Sequence, residues 1–377
     1  MKEIAFDYYR DRMFPGFDGK YCKICPHIAC DGKDQAYMFY SMLYLGGSDV
    51  FHDTYVVKST DGGMTFGEPR VIKTVEYTEN GIRTIWGMSV LHYHRKSGKF
   101  LCFGLTSHYA DDKHPVMTAG ISHNEPYMAI FDPESETFSD LIPMPLPFAT
   151  RTAVPHGQVI ENEAGEMLLS FYFVTPDEVR SSVMTASCVF DGEKLRLVRA
   201  GTPLVSGDDH LRGYCEPSVT CLNGKYYMTI RTDEAGLWAC SDDGYTFREP
   251  EIWRWDDGSV LENYNTMQRW VRFPEGLFFV YTRRGAHNDH VFRHRAPLFM
   301  ARFDEDRGVL IRASEVILVP ELGARIGNFF VTDVSESEVW VSVAEWMQCN
   351  ATDKEQWRVC MQYGSDNAIW RTRVVRQ

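Results

Sequence analysis

The sequence lacks the long apolar runs that mark membrane proteins and secreted precursors. No window of about 18 residues is continuously apolar, which argues against a transmembrane helix. The N-terminal stretch MKEIAFDYYRDRMF has no apolar segment of the signal-peptide type, so we expect a cytoplasmic protein. Linkers rich in proline, glycine and serine are also missing, which predicts one domain over residues 1–377.

A positive net charge and a metal-binding pattern are missing as well. The net charge of −13 argues against nucleic acid or an anionic membrane as the main partner. Among the ten cysteines, only Cys22 and Cys25 form a Cys-x-x-Cys pair, and no second pair accompanies it. We therefore predict no metal site and no cofactor. The cysteines, most of which lie in apolar strand-like runs, are interpreted as buried free thiols.

What the sequence does contain is a repeated turn motif. The segments STDGGMTFGEP (59–69) and CSDDGYTFREP (240–250) share aspartate, glycine, Thr-Phe and Glu-Pro in the same order. Aspartate and glycine in this arrangement predict a tight turn, closed by hydrogen bonds from the backbone to the side chain. Because the motif occurs twice, far apart in the chain, it indicates a repeating structural unit.

A longer period is visible around these turns. Six passages, about 50 to 65 residues apart, each open with an apolar strand and end in a turn and a short strand. Their first strands are predicted to begin near Cys22, Trp86, Arg151, Tyr214, Tyr264 and Ile326. Runs such as KFLCFGLTS and EMLLSFYFV are rich in the β-branched and aromatic residues of strands, and no long amphipathic helix is evident.

This pattern predicts an all-β protein, a single six-bladed β-propeller. The alternatives are a β-sandwich or two stacked β domains, which the six-fold period disfavours. Residues 1–20 are expected to pair with the last blade and close the ring, because an open sheet edge is a liability. In an up-and-down blade, the starts of first strands and the loops after second strands lie on one face. We expect the functional residues there.

One of these loops is unusually rich in arginine. The stretch YTRRGAHNDHVFRHR (281–295) contains four arginines and three histidines against one acid, Asp289. Arginine grips carboxylates through two parallel hydrogen bonds, so the stretch predicts a clamp for an acidic ligand at the funnel mouth. The alternative is that these arginines pair with Asp233, Glu234 or Asp289 and only hold loops together.

The repeated turn motif, the six-fold repeat and the local sequence around them resemble the sialidase (neuraminidase) superfamily over nearly the whole chain. The resemblance implies a propeller of sialidase type that holds an anionic sugar with an arginine triad. It also implies a tyrosine nucleophile assisted by a glutamate, and an aspartic acid. The same turns occur in propellers that only bind glycans, so they are specific for the fold and not for the activity.

The family's roles can be assigned to individual positions. The segment GYCEPSVTCLNGKYYMTIRT resembles the glutamate-bearing strand, which implies Glu216 as the base partner and Arg231 as a triad member. The segment YLGGSDVFHDTYVVKSTDGG resembles the acid-bearing loop, which implies Asp49 or Asp53 as the acid. Lys23 stands where the family has its first arginine, and a lysine cannot give the same two-pronged contact.

The fifth and sixth blades complete this assignment. The arginine-rich stretch resembles the segment that supplies a further arginine; the candidates are Arg293 and Arg295, with Arg283 and Arg284 nearby. In the sixth blade, RIGNFFVTD stands where the tyrosine is expected, and neither Asn328 nor Phe329 can act as a nucleophile.

Histidines are the feature that a sialidase does not explain. His27 and His156 each follow a proline at the start of a strand, and His290 lies in the arginine-rich loop. Histidine transfers protons near neutral pH, so we predict that these residues contact the sugar. A metal site at His287, His290 and His294 is the alternative, which their placement among arginines disfavours.

These inferences favour a sialidase-like glycoside hydrolase that acts on a sialic or uronic acid at a glycan end. Its expected partner is an acidic oligosaccharide or glycoconjugate. The first alternative is a polysaccharide lyase that cleaves next to a uronic acid with a histidine or tyrosine base. The second is a propeller that binds glycans without catalysis, which the many titratable groups predicted on one face disfavour.

Overall fold

Six antiparallel sheets of four or more strands, together with one two-stranded pair, make up the described part of the chain. A computed structural model describes residues 4–46, 49–77, 81–111, 117–118, 121–122, 125–144, 146, 152–174, 180–207, 212–352 and 355–377. Within these ranges no helix is long and apolar enough to span a membrane. The sheets follow one another in chain order as the blades of a propeller, so the predicted all-β, six-bladed fold is confirmed.

The first three blades are built from consecutive strands. Blade 1 consists of Tyr21–Cys30, Ala36–Tyr44, Val50–Ser59 and Arg70–Lys73. Blade 2 consists of Arg83–His94, Lys99–Tyr109, Glu125–Asp132 and Thr137–Phe138, extended by Glu76–Tyr77 and Ile142–Pro143. Blade 3 consists of Thr152–Glu161, Glu166–Val174, Ser182–Phe190 and Leu195–Ala200. A separate two-stranded pair follows the second strand of blade 2, made of Met117–Thr118 and Ile121–Ser122.

The remaining blades follow the same order. Blade 4 consists of Cys215–Leu222, Lys225–Arg231, Gly236–Ser241 and Glu251–Ile252. Blade 5 consists of Arg269–Phe273, Gly276–Tyr281, Leu298–Asp304, Val309–Leu310 and Val316–Val319. Blade 6 consists of Phe329–Ser335, Glu338–Ala344, Ile369–Arg376 and Phe6–Met13. The described helical segments are one α-helix, Trp357–Tyr363, and two 3-10 turns, Phe292–His294 and Arg312–Ser314.

Two long-range features shape the ring. Phe6–Met13 pairs antiparallel with Ile369–Arg376, so the two ends of the chain share blade 6. The first strand of each blade contacts the first strands of both neighbouring blades around the central axis. The first strand of blade 5 begins at Arg269, later than expected, which leaves the segment around Tyr264 as a loop before the blade. Arg151, the predicted start of blade 3, lies outside the described residues.

The core lies between adjacent blades. One buried cluster joins Phe103 of blade 2 to Phe171 of blade 3, and another joins Trp238 of blade 4 to Phe279 of blade 5. In the second cluster, Trp253 stacks on Phe279 with ring centroids 4.0 Å apart. Alternate apolar side chains on each strand therefore pack against the next blade, which explains the high aromatic content of the sequence.

The two repeated turns are closed by their aspartates. The Asp61 carboxylate accepts hydrogen bonds from the Thr65 backbone at 2.9 Å and from the Thr65 hydroxyl at 2.6 Å. In the second turn, the Asp243 carboxylate accepts from the backbone of Tyr245 and of Thr246, both at 2.8 Å. These bonds favour the ionised form and lower the pKa of both aspartates to about 2.

This pKa shift predicts acid sensitivity of the fold. Because the folded pKa lies below the unfolded value of 3.8, the stabilisation is complete above pH 3.8 and is lost as the pH falls towards 2. We expect Asp61→Asn and Asp243→Asn to be less stable than the wild type at pH 6, with the difference vanishing near pH 2. Urea unfolding at several pH values measures this. Asp242→Asn is the matched control, since Asp242 is 77% exposed. A stability difference for Asp243→Asn that does not depend on pH would contradict the prediction.

Candidate functional site

One mouth of the central channel collects residues in unfavourable backbone conformations. Asp49, Glu216, Asn265, Arg293 and His294 have φ angles of 50°, 45°, 46°, 55° and 53°. Non-glycine residues seldom adopt this left-handed region, and such strain concentrates at functional sites. All five lie at the starts of first strands or in the loops that precede and follow the inner strands, the face where functional residues were expected.

Glu216 and Arg231 form an ion pair at this mouth. They belong to the first two strands of blade 4, and an irregularity in pairing between Cys215 and Ser218 sets the position of Glu216. Glu216 Oε1 lies 2.7 Å from Arg231 Nη1. Burial, the largest single influence, opposes ionisation of this carboxyl, but the charge and hydrogen bond of Arg231 together with other positive charges nearby outweigh it and lower the pKa of Glu216 to about 2. Glu216 Oε2 is buried and has no hydrogen-bond partner among the described residues.

The neutral side chain of Asn265 binds three guanidinium groups. The side-chain oxygen of Asn265 accepts hydrogen bonds from Arg231 at 2.6 Å, Arg293 at 3.1 Å and Arg295 at 3.2 Å. Arg295 Nε also donates to the Asn265 backbone oxygen at 3.1 Å. An amide oxygen carries no formal charge, so it fixes the arginines in place without neutralising them. Sequence reasoning missed Asn265, because an isolated asparagine carries no signal of such a role.

Arg325 is a fourth member that the sequence analysis also missed. Its guanidinium carbon lies 3.3 Å from the ring centroid of Trp346. The residue is 6% exposed, and burial lowers the pKa of its guanidinium to about 9. The charge of Asp49 opposes this shift, and the charge of Arg293 adds to it. Its position just before the first strand of blade 6 was the signal that could have identified it.

These four residues, Arg231, Arg293, Arg295 and Arg325, are called the arginine cluster below. Within the described part of the chain, only Arg231 has ion-pair partners: Glu216 and, at 3.7 Å, Asp233. Asp233 is held more closely by Arg212, at 2.8 Å. Burial and the neighbouring arginines lower the pKa of Arg295 well below its usual value. The cluster therefore holds positive charge in excess, which a bound anion would compensate.

The two candidate acids are placed differently. Asp49 is exposed in the loop between the second and third strands of blade 1, and its charge acts on Arg325 and Arg293. Tyr109 donates to the Asp49 backbone oxygen at 2.6 Å, which fixes the loop. Asp53 instead accepts a hydrogen bond from the Val75 backbone at 3.0 Å. Asp49 is therefore near the cluster, whereas Asp53 holds a neighbouring loop.

The arginine-rich stretch divides in the same way. Arg293 and Arg295 belong to the cluster, but Arg283 contacts Glu315 with two nitrogens, Nε at 2.8 Å and Nη2 at 2.7 Å. Arg283 therefore holds loops together, as in the alternative interpretation. Its partner is Glu315, which was not among the acids predicted. The Arg284 guanidinium lies over the Tyr264 ring, 4.0 Å from its centroid.

Other predicted contact residues lie away from the cluster. Lys23 Nζ donates to backbone oxygens of Gly16 at 3.0 Å and Asn367 at 3.2 Å, so it anchors the N-terminal segment. His290 Nε2 lies 2.9 Å from a Glu321 oxygen, and its ring stacks on Tyr363 at 4.2 Å. Among the described residues, neither Lys23 nor His290 makes a hydrogen bond, ion pair or ring contact with the arginine cluster.

His27 and His156 lie deeper, on the inner strands. His27 Nδ1–H donates to the Cys25 backbone oxygen at 2.9 Å, and its ring packs on Phe330 with centroids 3.5 Å apart. His156 Nδ1 lies 3.4 Å from Nη2 of the buried Arg269. Burial lowers the pKa of His27 to about 4 and that of His156 to about 3. Both rings are therefore neutral at physiological pH.

At the start of blade 6, where the resemblance seen in the sequence implies a tyrosine, the chain has asparagine and phenylalanine. Phe329 is fully buried in the core, and Asn328 donates to the Cys25 sulfur at 3.5 Å. All ten cysteines are free thiols. Within the described ranges, no group of three or more His, Cys, Asp or Glu residues has metal-site geometry.

Comparison with known proteins places the fold. No family model matches the chain. No curated protein matches it either. Many solved structures do. A Dyadobacter fermentans protein of unknown function has 14% identity and a TM-score of 0.66, over 98% of this chain and 99% of that one.

Sialidases are among the other structural matches. The Trypanosoma rangeli sialidase, solved with sialic acid, has 12% identity and a TM-score of 0.63, over 99% of this chain and 59% of its own. The Hadza microbial sialidase Hz136 has 13% identity and a TM-score of 0.60, over 94% of this chain and 65% of its own. The chain thus spans less than two thirds of these two sialidases. The match confirms the predicted sialidase-type propeller fold, and identities this low establish nothing beyond the fold.

Proposed function

We propose that this propeller is a glycoside hydrolase that acts on an acidic sugar at the end of a glycan. The observation that carries the proposal is the arginine cluster, whose excess positive charge lies at the mouth of the channel. Guanidinium groups hold the carboxylate of an acidic sugar through paired charge-assisted hydrogen bonds. The Trypanosoma rangeli relative was solved with sialic acid, a carboxylated sugar, on the same fold.

The neighbouring residues suit this role. The Arg325 guanidinium stacks on Trp346, and Asn265 binds the other three guanidinium groups. The clamp is therefore organised before the ligand binds. Asp49 lies at the edge of the cluster, where it can protonate the leaving oxygen of a glycosidic bond. Glu216 stays ionised and holds Arg231, which makes it a positioning residue in this proposal rather than a proton donor.

The products of the reaction test the proposal. Purified protein is incubated with sialylated and uronate-containing oligosaccharides, and the products are weighed by mass spectrometry. Products that together gain the mass of one water support hydrolysis. Products without added water that absorb in the near ultraviolet identify elimination, and an uncleaved panel that still binds identifies a glycan-binding propeller. Either of the last two results overturns the proposed hydrolase.

Replacing Arg325 by methionine separates binding from stability. Loss of a charge-assisted contact costs about 1.5–3 kcal/mol, so we expect roughly 10- to 100-fold weaker binding of the acidic sugar. Arg325 has no described ion-pair partner, so its removal should leave the melting temperature unchanged or higher. Calorimetric titration and thermal unfolding measure the two effects.

Arg312→Met is the matched control for this prediction. Arg312 also stacks on a tryptophan, Trp255, with its guanidinium carbon 4.6 Å from the ring centroid. It lies on the outer part of blade 5 and pairs with Asp257, so its removal should not affect sugar binding. Unchanged affinity in Arg325→Met would remove Arg325 from the clamp.

A further inference from the structure

A second cavity, called the rear cavity below, lies at the other end of the central channel from the arginine cluster. Its volume is about 320 Å³, and residues of all six blades line it. They come from the ends of the first strands and the turns that follow, such as Cys221 of blade 4. Glu216 lies near the start of that same strand. The rear cavity and the arginine cluster therefore occupy opposite faces of the ring.

The inner end of the rear cavity is fixed by a side chain that bridges three blades. Gln158 of blade 3 donates from Nε2 to the backbone oxygen of Trp270 in blade 5 at 2.9 Å. Its Oε1 accepts from the Trp270 nitrogen at 2.9 Å and from the hydroxyl of Ser218 in blade 4 at 3.0 Å. A cavity whose wall is held in this way is formed before a ligand binds, which lowers the entropic cost of binding.

A carboxylate and a guanidinium in the wall have unused hydrogen-bonding capacity. Asp333 of blade 6 lines the rear cavity, and 46% of its side chain is accessible to solvent. Its Oδ2 lies 3.7 Å from Nη2 of Arg272 in blade 5, which is too far for a hydrogen bond. The surrounding walls desolvate the carboxyl and raise its pKa, and the charge of Arg272 offsets this only in part. Among the described residues, neither side chain has a hydrogen-bond partner.

The wall on the blade 2 side contributes another acceptor. His92 Nε2 lies 2.8 Å from Glu161 Oε2, and a carboxylate only accepts hydrogen bonds. Nε2 therefore carries the hydrogen of the neutral ring, and Nδ1 keeps a lone pair that has no partner among the described residues. Burial lowers the pKa of His92, so the ring is neutral at physiological pH. His92 lies close enough to Asp333 for its charge, when it is protonated, to act on that carboxyl.

The charges around the rear cavity favour an uncharged ligand. Each of two acids has an arginine within ion-pair distance: Asp333 has Arg272, and Glu161 has Arg95, both at 3.7 Å. The third acid, Asp31, accepts two backbone hydrogen bonds within its own turn. The walls thus lack the excess of one sign that the arginine cluster has. Unused donors and acceptors side by side suit hydroxyl groups, which donate and accept at once.

We propose that the rear cavity is a second binding site, which takes an uncharged sugar residue. Hydroxyl groups of the sugar donate to the Asp333 carboxylate and to His92 Nδ1, and they accept from the Arg272 guanidinium. A volume of about 320 Å³ is at the low end of the range for small-molecule sites, which suits a single sugar ring. Because this site lies on the other face of the ring, it does not depend on the hydrolase proposed for the arginine cluster.

Titration with methyl glycosides tests the proposal by calorimetry. The probes are the methyl glycosides of glucose, galactose and mannose, which are uncharged, of glucosamine, a cation, and of glucuronic acid, an anion. We expect at least one uncharged glycoside to bind with a dissociation constant of about 1 mM, in keeping with a ligand of this size. Asp333→Asn and Arg272→Met should each weaken its binding about 10-fold or more, because each removes a charge-assisted hydrogen bond.

Asp242→Asn is the matched control, because Asp242 pairs with Arg248 at 3.4 Å in an exposed turn of blade 4. We expect it to bind the glycoside within about two-fold of the wild type. Thermal unfolding of each variant shows whether the fold is kept. Binding that is unchanged in both Asp333→Asn and Arg272→Met, or that is weakened only in Arg325→Met, places the sugar elsewhere and overturns the proposal. A wild type that binds no uncharged glycoside at tens of millimolar, or only the charged ones, overturns it as well.

Discussion

Glu216→Gln is expected to lower the free energy of unfolding by about 3 kcal/mol at pH 7. Its carboxylate directly contacts Arg231, and the two side chains are only 19% and 9% exposed, so water screens the pair poorly. Glutamine keeps the shape and one hydrogen-bond acceptor but leaves Arg231 and the buried Arg295 without this negative charge. Breaking a buried pair costs about 3–5 kcal/mol, and the retained acceptor places this variant at the lower end.

Urea unfolding measures this loss, and a double variant identifies its origin. In Glu216→Gln/Arg231→Met both charges are removed, so we expect it to be more stable than the sum of the two single changes predicts. Glu355→Gln is the surface control. Glu355 pairs with Arg358 at the protein surface, with both side chains more than half exposed, so its loss should cost at most about 0.5 kcal/mol. Wild-type stability of Glu216→Gln would show that the cluster is held by other contacts.

The fold could be predicted from the sequence because most strands of a blade follow one another in the chain. Consecutive strands pair with one another, so a periodic sequence pattern reports the architecture directly. The Asp61 and Asp243 turns needed only neighbouring residues to close them. The start of blade 5 was predicted too early, because Tyr264 lies in a loop with left-handed backbone at Glu262 and Asn265, which the sequence period does not report.

The site could be predicted only in part, because a high density of charged residues in the sequence does not show which residues they contact in the fold. Arg283 and Arg295 lie in one arginine-rich stretch, yet Arg283 meets Glu315 from another segment of blade 5, and Arg295 is buried against Asn265. Arg325 stands alone in the sequence, and only the folded ring brings it to Trp346 and the cluster. Spacing predicts which face a residue occupies, whereas the distinction between clamp and loop anchor depends on contacts distant in sequence.

The second large effect is expected for Asp49→Asn, which should reduce kcat about 100- to 10,000-fold if Asp49 protonates the leaving oxygen. Asp49 is the candidate acid whose charge acts on the arginine cluster, whereas Asp53 holds the Val75 backbone. Asp53→Asn is therefore the matched control, with kcat close to that of the wild type. Steady-state kinetics on the substrate identified in the product assay measure both variants.

The leaving group distinguishes acid catalysis from a general disturbance of the site. In an aryl glycoside with a weakly basic phenol, the leaving phenolate departs without a proton. Cleavage of its glycosidic bond therefore does not require the acid. We expect kcat/KM of Asp49→Asn for such a substrate, which reports cleavage of the glycosidic bond, to lie within about ten-fold of the wild type, while kcat/KM for an alkyl glycoside shows the full loss. Equal losses on both substrates would contradict acid catalysis by Asp49. In that case its charge beside Arg325 would serve to position the clamp, and the proton donor would have to be another group at the mouth.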